Sequence, residues 1–282
     1  MPTRTARSRS VHPGALLLLS GLVALASGCP KARDPDKSDT RLELAKDFLR
    51  KGQLEAAEQE GRKALGFDGK NAEAYNLLGL VDFVRALNNF RDREVDQCLT
   101  GVDRDATLVD FERYLKKADK RFEKAVTVDP EYGEAYANRG AVAIQQEEYD
   151  RAVDLFEKAL GFPARLTNAA LTRSNLGWAQ FHRGDMVAAA KELRQSLQFQ
   201  PGMCVSTYRL GRVYFARKEW QKALEEFQAV TANAACPLQE AHLYLVMTYQ
   251  AMGTPASKQT AERCAALAPK SCIAARCRSL VP

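Results

Sequence analysis

Apolar and small residues recur along the middle of the chain with the spacing of amphipathic helices, and the whole pattern returns. The segment GEAYANRGAVAIQQEEYDRAVDLFEKAL is followed by LTRSNLGWAQFHRGDMVAAAKELRQSL and then by STYRLGRVYFARKEWQKALEEFQAV. Aligned on Gly140, Gly177 and Gly211, the copies are offset by 37 and 34 residues. Each copy holds two apolar stripes of helical period. The pattern therefore predicts a pair of helices in each copy.

A period near 34 residues with small residues at fixed offsets is the signature of tetratricopeptide repeats, whose unit is two antiparallel helices. Gly140, Ala152 and Ala159 stand where helices must approach closely, and Phe156 fills the space between those contacts. A single unit cannot bury its apolar face, so units stack and share one core. We therefore predict an all-α, right-handed superhelical solenoid of tetratricopeptide repeats, with about six helix pairs over residues 41–268.

The second repeat is longer than its neighbours by about 27 residues, inserted over residues 85–112. Its first helix carries Gly79, but its second helix is recognisable only near Ala118. Apolar residues continue both helical stripes into the insertion. We predict two lengthened helices that form an extended hairpin, with residues 91–105 and Cys98 at its tip. Such insertions often carry binding, although a solvated hairpin without a partner is an equally good interpretation.

The N-terminal segment is organised like an export signal. Three arginines without an acid precede the apolar run Ala15–Ala26, and small residues lead to Cys29. These are the parts of a secretory signal, whereas a membrane-spanning helix needs roughly 20 apolar residues. The sequence ALASGC resembles the bacterial lipobox, which implies removal of residues 1–28 and acylation of Cys29, with palmitate among the chains. Simple secretion is the alternative.

Further features refine the location that the lipobox implies. By resemblance to lipoprotein sorting, Pro30 after the cysteine favours the outer membrane. Residues 29–40 are charged and polar, and we predict a flexible tether there. The formal charge of +6 falls to +3 when the three arginines of the signal are removed. This balance, without a basic cluster, argues against nucleic acid as a partner.

Six cysteines remain after Cys29, an even number that in an exported chain favours disulfide bonds. Six cysteines allow 15 pairings, so the sequence alone does not fix their connectivity. Cys204 and Cys236 each stand near the start of a first helix in adjacent units, hence on one edge of the solenoid. Cys272 is expected on the same edge, one unit further along.

The C-terminal cysteines support a second cross-link. Cys264 on the last repeat helix is positioned to meet Cys277 on a closing helix, which we predict within a C-terminal cap over residues 269–282. Zinc binding is the rival interpretation, but these cysteines lack the close Cys-x2-Cys spacing of structural zinc sites. We therefore expect no metal and no cofactor.

Resemblance to tetratricopeptide proteins also implies a binding groove, because fixed positions of each first helix line the inner face in that family. Carried over to this chain, these positions give a wall rich in aromatic residues beside one arginine. Aromatic residues and arginine are typical of buried interface centres. The alternative is that the rings pack between helices and meet no ligand. The predicted groove residues are Asn76, Phe83, Trp178, Phe181, Tyr208, Arg212 and Phe215.

Catalytic chemistry finds no support in the sequence. His182 and His242 stand alone, and glycine-rich phosphate loops, nucleophile elbows and His-Glu-x-x-His motifs are absent from the sequence. We predict a protein that is not an enzyme and has no catalytic residues.

The chain resembles the pilotin lipoproteins of type IV pili, the PilF/PilW/Tgl type. The lipobox, the short segment before the repeats, the run AYANRGAVAIQQEEYDRAVDLFEKAL and the Pro-containing insertion GFPARLTNAALTRSNLG carry the resemblance. It implies an outer-membrane lipoprotein, facing the periplasm, that binds a secretin subunit and promotes its localisation and assembly. A periplasmic tetratricopeptide adaptor for another envelope complex, such as a protease or cell-wall machinery, is the alternative.

Overall fold

The computed structural model describes residues 33–98, 104–254 and 258–280, and all side chains within them except those of residues 89–98 and 104–107. Over this part the chain is helical throughout, with one short 3-10 turn at Pro163–Arg165 between α6 and α7. The helices are α1 (Pro35–Arg50), α2 (Leu54–Phe67), α3 (Ala72–Cys98), α4 (Arg104–Val128), α5 (Gly133–Gln145), α6 (Tyr149–Gly161), α7 (Ala169–His182), α8 (Met186–Phe199), α9 (Cys204–Ala216), α10 (Trp220–Ala232), α11 (Gln239–Ala251), α12 (Lys258–Leu267) and α13 (Cys272–Ser279).

Consecutive helices pack as pairs, from α1 with α2 to α11 with α12, and α13 follows as a closing helix. The first helices of neighbouring pairs also contact one another, as α7 does with α9 and α9 with α11. Among the described residues, the second helices contact mainly the first helices on either side. The first helices therefore form the inner layer. This arrangement confirms the predicted all-α tetratricopeptide solenoid.

Close packing within the pairs depends on one glycine in the first helix. A methyl group added at Gly140 would lie 2.7 Å from the ring of Phe156, and one at Gly211 would lie 2.7 Å from the ring of Phe227. Both phenylalanines are fully buried. Gly79 and Gly177 meet Phe122 and Leu193 in the same way. The repeat thus pairs a residue without a side chain with a large buried one.

Five turns inside helix pairs lie within the described residues, and each uses a left-handed backbone conformation. Gly52, Gly184 and Gly253 have φ values of 72°, 89° and 70° at these turns. Glu147 and Lys218 occupy the same place with φ of 60°. Residues other than glycine adopt this region at a cost in free energy, because their Cβ atom crowds the following carbonyl oxygen.

The second pair is the extended hairpin that the sequence predicts. α3 has 27 residues and α4 has 25, against 13 to 16 in the first helices of the other pairs. Its predicted tip at residues 91–105 is too wide, because α3 continues to Cys98 and α4 begins at Arg104. The side chain of Cys98 lies outside the described residues.

Buried charges hold the base of this hairpin to α2. Glu58 lies 2.5 Å from Arg85 and 3.2 Å from Arg121, both on the hairpin. Asp82 is almost fully buried, and its carboxylate lies 3.0 Å from Nη1 of Arg121. The same Nη1 donates a hydrogen bond to the carbonyl of Leu78. Burial consequently raises the pKa of Asp82 despite the nearby guanidinium groups.

The solenoid begins earlier than the sequence suggests. Residues 35–40, predicted as the end of a flexible tether, form the first turns of α1. Asp34 caps this helix by accepting the backbone N–H of Lys37, and Pro35 suits the first helical turn. Ser38 is fully buried and donates to the carbonyl of Ala64. A charged stretch can therefore begin a packed helix when it has a capping acid and one small residue that is buried against the neighbouring helix.

The signal segment 1–28 and Cys29 lie outside the described residues. None of the described helices is long and apolar enough to cross a membrane.

Two disulfide bonds join the C-terminal units. Cys204, the first residue of α9, is bonded to Cys236 in the loop before α11, with 5.6 Å between their Cα atoms. Cys264 of α12 is bonded to Cys277 of α13, with 6.2 Å between their Cα atoms. The sequence predicts Cys204 and Cys236 on one edge and Cys264 near Cys277, but leaves the connectivity open. Cys272 is also disulfide-bonded.

Candidate functional site

The seven predicted groove residues lie on three inner helices, and the structure brings four of them together around one guanidinium group. Trp178 and Phe181 of α7 adjoin Tyr208 and Arg212 of α9, whereas Phe215 of α9 contacts Tyr244 of α11. Asn76 and Phe83 lie on α3, outside these contacts.

Arg212 is the centre of the cluster. Its guanidinium donates a hydrogen bond of 2.8 Å to the hydroxyl of Tyr208. The guanidinium carbon lies 4.0 to 5.8 Å from four ring centroids, a range suited to cation–π attraction. These rings belong to Tyr244, Trp178, Phe181 and Tyr208.

The rings of α7 contact one another, two of them stacked and one edge-on. Trp178 lies on Phe181 with 4.9 Å between centroids and 7° between planes. His182 meets Trp178 edge-on at 4.5 Å and stacks on Tyr149 at 4.6 Å. Partial burial of the imidazole, followed by the charge of Arg212, lowers the pKa of His182, although one face remains open to solvent. His182 is therefore neutral at pH 7.

Arg209 belongs to the same site and was missed from the sequence. Its Nη1 donates to Ser174 Oγ at 2.9 Å and to Asn175 Oδ1 at 2.8 Å. Its guanidinium also lies 5.4 Å from the centroid of Trp178. Burial lowers the pKa of Arg209 to about 10, because no neighbouring carboxylate compensates for the lost hydration.

The repeat register contained a signal for Arg209. It stands two residues before Gly211, as Asn175 stands two residues before Gly177, so this position faces the preceding first helix. Tyr244 was missed for a different reason. The sixth unit has no glycine to align its first helix, so its inward position could not be assigned.

Phe215 also has packing contacts between helices. Its ring is edge-on to Trp220 at 5.1 Å and to Tyr244 at 5.2 Å, and thus lies between α9, α10 and α11. Phe215, Trp178, Phe181 and Tyr208 are all partly buried and keep some exposed surface. We call Trp178, Phe181, Tyr208, Arg209, Arg212 and Tyr244 the aromatic–arginine site.

The two predicted residues of α3 have other environments. Asn76 is 5% exposed and accepts a hydrogen bond of 2.9 Å from the side-chain amide of Asn138. Phe83 packs on the core of the hairpin base. Asn76 nevertheless borders a separate pocket of about 280 Å³ between α1, α3 and α5, the N-terminal pocket. Its lining includes Leu49, Leu77, Leu80 and Tyr132.

Within the described residues, no group of three or more His, Cys, Asp or Glu side chains could hold a metal ion. The N-terminal pocket offers apolar contact, and the aromatic–arginine site offers flat rings with two guanidinium groups.

The stacked helix pairs have the fold of tetratricopeptide repeats. Residues 112–170 match the family model described as tetratricopeptide repeat. In sequence the chain is similar to the type IV pilus assembly protein PilF of Pseudomonas aeruginosa. The two are 26% identical over 170 residues, which is 56% of this chain and 68% of PilF.

Two other relatives are matched over a third of their length or less. A DnaJ homolog subfamily C member 7 homolog of Dictyostelium discoideum is 34% identical over 126 residues, 45% of this chain and 21% of that protein. The Hsp70-Hsp90 organizing protein of Triticum aestivum is 26% identical over 197 residues, 70% of this chain and 30% of that protein.

Solved structures show the same fold over most of the chain. PilW, described as a widely conserved type IV pilus biogenesis factor, superposes with a TM-score of 0.65 at 20% identity. The match covers 84% of this chain and 96% of PilW. Pseudomonas aeruginosa PilF gives a TM-score of 0.64 at 18% identity, covering 86% of this chain and 97% of PilF.

Proposed function

We propose that this protein is an outer-membrane lipoprotein that binds a secretin subunit and promotes its localisation and assembly for type IV pilus biogenesis. The observation that carries the proposal is the sequence similarity to PilF over 68% of that protein. The shared fold with PilF and PilW over nearly their whole length supports it. An inner face with two sites for non-covalent contact suits a scaffold that holds another polypeptide.

The membrane part of the proposal is based on the sequence ALASGC and on acylation of Cys29. Each buried methylene of an acyl chain contributes about 0.8 kcal/mol, so several chains anchor firmly. Because α1 begins at Pro35, only five residues separate the proposed anchor from the solenoid. That length of chain spans at most about 18 Å. An acyl anchor at Cys29 would thus hold the repeats close to the bilayer.

Gene deletion tests the functional part. We expect the deletion strain to lose heat-stable secretin multimers and a plasmid copy of the gene to restore them. Multimers that persist unchanged in the deletion strain would refute a role in secretin assembly. An intact pilus in that strain, together with a defect in wall or protease function, would favour the alternative adaptor.

Metabolic labelling tests the anchor. Cells given radiolabelled palmitate should label the wild-type protein, and Cys29→Ala should carry no label and leave the membrane fraction. Equal labelling of both proteins would contradict acylation at Cys29.

A further inference from the structure

Two arginines of the inner face lack the acidic partners that other arginines of this chain have. Arg121 lies 3.0 Å from Asp82, Arg139 lies 3.0 Å from Asp119, and Arg173 lies 2.8 Å from Glu192. Within the described residues, neither Arg209 nor Arg212 forms an ion pair with a carboxylate; their hydrogen bonds go to hydroxyl and amide oxygens. The aromatic–arginine site therefore carries two positive charges without local neutralisation.

Nearby acids and bases leave this imbalance in place. Glu240 of α11 acts on the hydroxyl of Tyr208, and Glu147 acts on His182, both by charge at a distance. His182 is neutral at pH 7 and becomes a third positive group when the medium is acidified. The site is thus positively charged at pH 7 and gains positive charge as the medium is acidified.

The guanidinium groups are fixed and have donors to spare. Arg209 bonds through Nη1 to two oxygens of α7, and Arg212 bonds through Nη1 to Tyr208. Among the described residues, Nε and Nη2 of both arginines have no acceptor. An arginine presents its five N–H groups in a rigid fork that matches a carboxylate. Two such forks held ready cost a ligand little ordering entropy.

The rings around the forks strengthen an ionic contact and add apolar surface. Trp178 lies 5.4 Å from both guanidinium groups, and Tyr244 lies 4.0 Å from that of Arg212. Rings displace water, and charges attract more strongly where the dielectric constant is low. A ligand with only negative charge would leave the rings unused, and a wholly apolar ligand would bury two unpaired charges.

We infer that the aromatic–arginine site binds a peptide segment in which an Asp or Glu side chain lies beside an aromatic or bulky aliphatic side chain. The carboxylate accepts the free N–H groups of Arg209 and Arg212, and the neighbouring side chain packs on Trp178 and Tyr244. The inference deepens the proposed function, since it gives the chemistry of the partner segment that the groove holds. It draws on charge complementarity within this chain and on the position of the site on the inner layer.

Fluorescence anisotropy with the purified full-length chain tests the inference. The probe is a fluorescein-labelled peptide, Gly-Ser-Phe-Asp-Phe-Asp-Phe-Ser-Gly, and its matched counterpart has Asn in place of both Asp residues. We expect the Asp peptide to bind at least about tenfold more tightly, because a hydrogen bond to a charged group is worth more than a neutral one. Equal affinity of the two peptides would overturn the inference.

Substitutions locate the binding. Arg212→Gln and Arg209→Gln should each weaken the Asp peptide by about tenfold and leave the Asn peptide unchanged. Arg194→Gln is the matched control, because Arg194 also donates to a tyrosine hydroxyl, that of Tyr214, but stands on the outer helix α8. Circular dichroism checks folding, and the two-peptide comparison on wild type stands even if one variant misfolds. Unchanged binding by Arg212→Gln would overturn the inference.

Other outcomes separate this inference from the proposed function. If a fluorescein-labelled oligothymidylate binds and Arg212→Gln removes that binding while the Asp peptide stays unbound, the site is a nucleic-acid site and the inference fails. Selective binding of the Asp peptide by purified protein supports the inference even if gene deletion leaves secretin multimers intact. Loss of multimers on deletion with no discrimination between the peptides would support the proposed function and reject this ligand chemistry.

Discussion

At the scale of single residues, the solenoid depends on a few positions where size or backbone conformation is restricted. The glycine of each first helix lets a fully buried phenylalanine or leucine of the second helix lie against the backbone. The left-handed turn residues, by contrast, have no close neighbours that demand a small side chain. These two kinds of position predict opposite responses to substitution.

Gly211→Ala should destabilise the protein. The added methyl group would lie 2.7 Å from the ring of Phe227, which has no exposed surface and no room to move. Overpacking of this kind costs about 1–3 kcal/mol, and better helix propensity offsets up to about 1 kcal/mol of it. Urea unfolding measures the loss.

Gly66→Ala is the matched control for that substitution. Gly66 lies in α2 with no atom within 4 Å of the added methyl group. Alanine should therefore leave the free energy of unfolding unchanged or raise it by up to about 1 kcal/mol. If Gly211→Ala were as stable as this control, the close-packing account would be wrong.

Lys218→Gly should stabilise the protein. Lys218 has φ of 60° and an exposed side chain, so glycine relieves backbone crowding without removing a contact. We expect a gain of about 0.5–1 kcal/mol, because the relief of about 1–2 kcal/mol exceeds the entropy cost of glycine. Thermal unfolding measures it. Ala216→Gly, in the last turn of α9, should lower stability instead, and a loss of the same sign in Lys218→Gly would contradict the argument.

The sequence predicts Trp178, Phe181, Tyr208 and Arg212 correctly as neighbours, because the repeat register alone decides which positions face inward. It does not reveal that Phe215 turns into the α9–α11 interface, since that depends on the bulk of Trp220 and Tyr244. It also misses Arg209, whose importance comes from an absent acidic partner. Whether a charge is paired depends on the folded structure and cannot be read from the periodicity of the sequence.

At the scale of elements, the long hairpin and the first helix depart most from a regular repeat. The apolar stripes predict both lengthened helices, but they do not fix where the helices end. α1 was placed too late because capping by Asp34 and burial of Ser38 need no apolar residue. Polar residues that cap a helix, or that are small enough to be buried, are easily mistaken for part of a flexible linker.

Glu58 should make stability depend on pH through the base of the hairpin. Burial alone would raise its pKa, but hydrogen bonds from Arg85, Arg62 and Arg121 outweigh it and lower the pKa to about 2. The folded pKa lies below the unfolded value, so this stabilisation is complete above about pH 4.5 and is lost as the pH falls towards 2.

Glu58→Gln should remove that dependence and destabilise the protein at pH 7. It removes the carboxylate that Arg85 and Arg121 share, although Arg85 keeps Glu55 and Arg121 keeps Asp82, so the lost charged hydrogen bonds should cost about 1.5–3 kcal/mol. Glu43→Gln is the control, because Glu43 pairs with Lys46 at the surface and should cost under about 1 kcal/mol. If the free energy of unfolding fell equally for the wild type and Glu58→Gln between pH 5 and pH 2.5, Glu58 would not be the source of the pH dependence.

At the scale of the whole molecule, most contacts are made between neighbouring units, with one between α3 and α13, so stability is approximately a sum of local terms. The disulfide between Cys204 and Cys236 adds a covalent link across one boundary, between the fifth and sixth pairs. The C-terminal units should therefore depend on oxidation more than the N-terminal units do.

The double variant Cys204→Ala with Cys236→Ala tests this dependence. It opens a loop of 32 residues, whose closure stabilises by about 3–4 kcal/mol in the chain-entropy model. Hydrogen exchange should speed up in α9 to α12 and stay unchanged in α1 and α2. Uniform acceleration along the chain would show that the solenoid unfolds as one cooperative body.

The same cross-link has a mechanical consequence. When the chain is pulled from its two ends in an optical trap, it lengthens as pairs come apart, but the segment from Cys204 to Cys236, a sequence separation of 32, is bypassed by the disulfide. At about 3.5 Å per extended residue, the contour length under oxidising conditions falls short of the reduced one by about 110 Å from this bridge alone. The disulfide thus limits how far the C-terminal part of the chain can be extended under oxidising conditions.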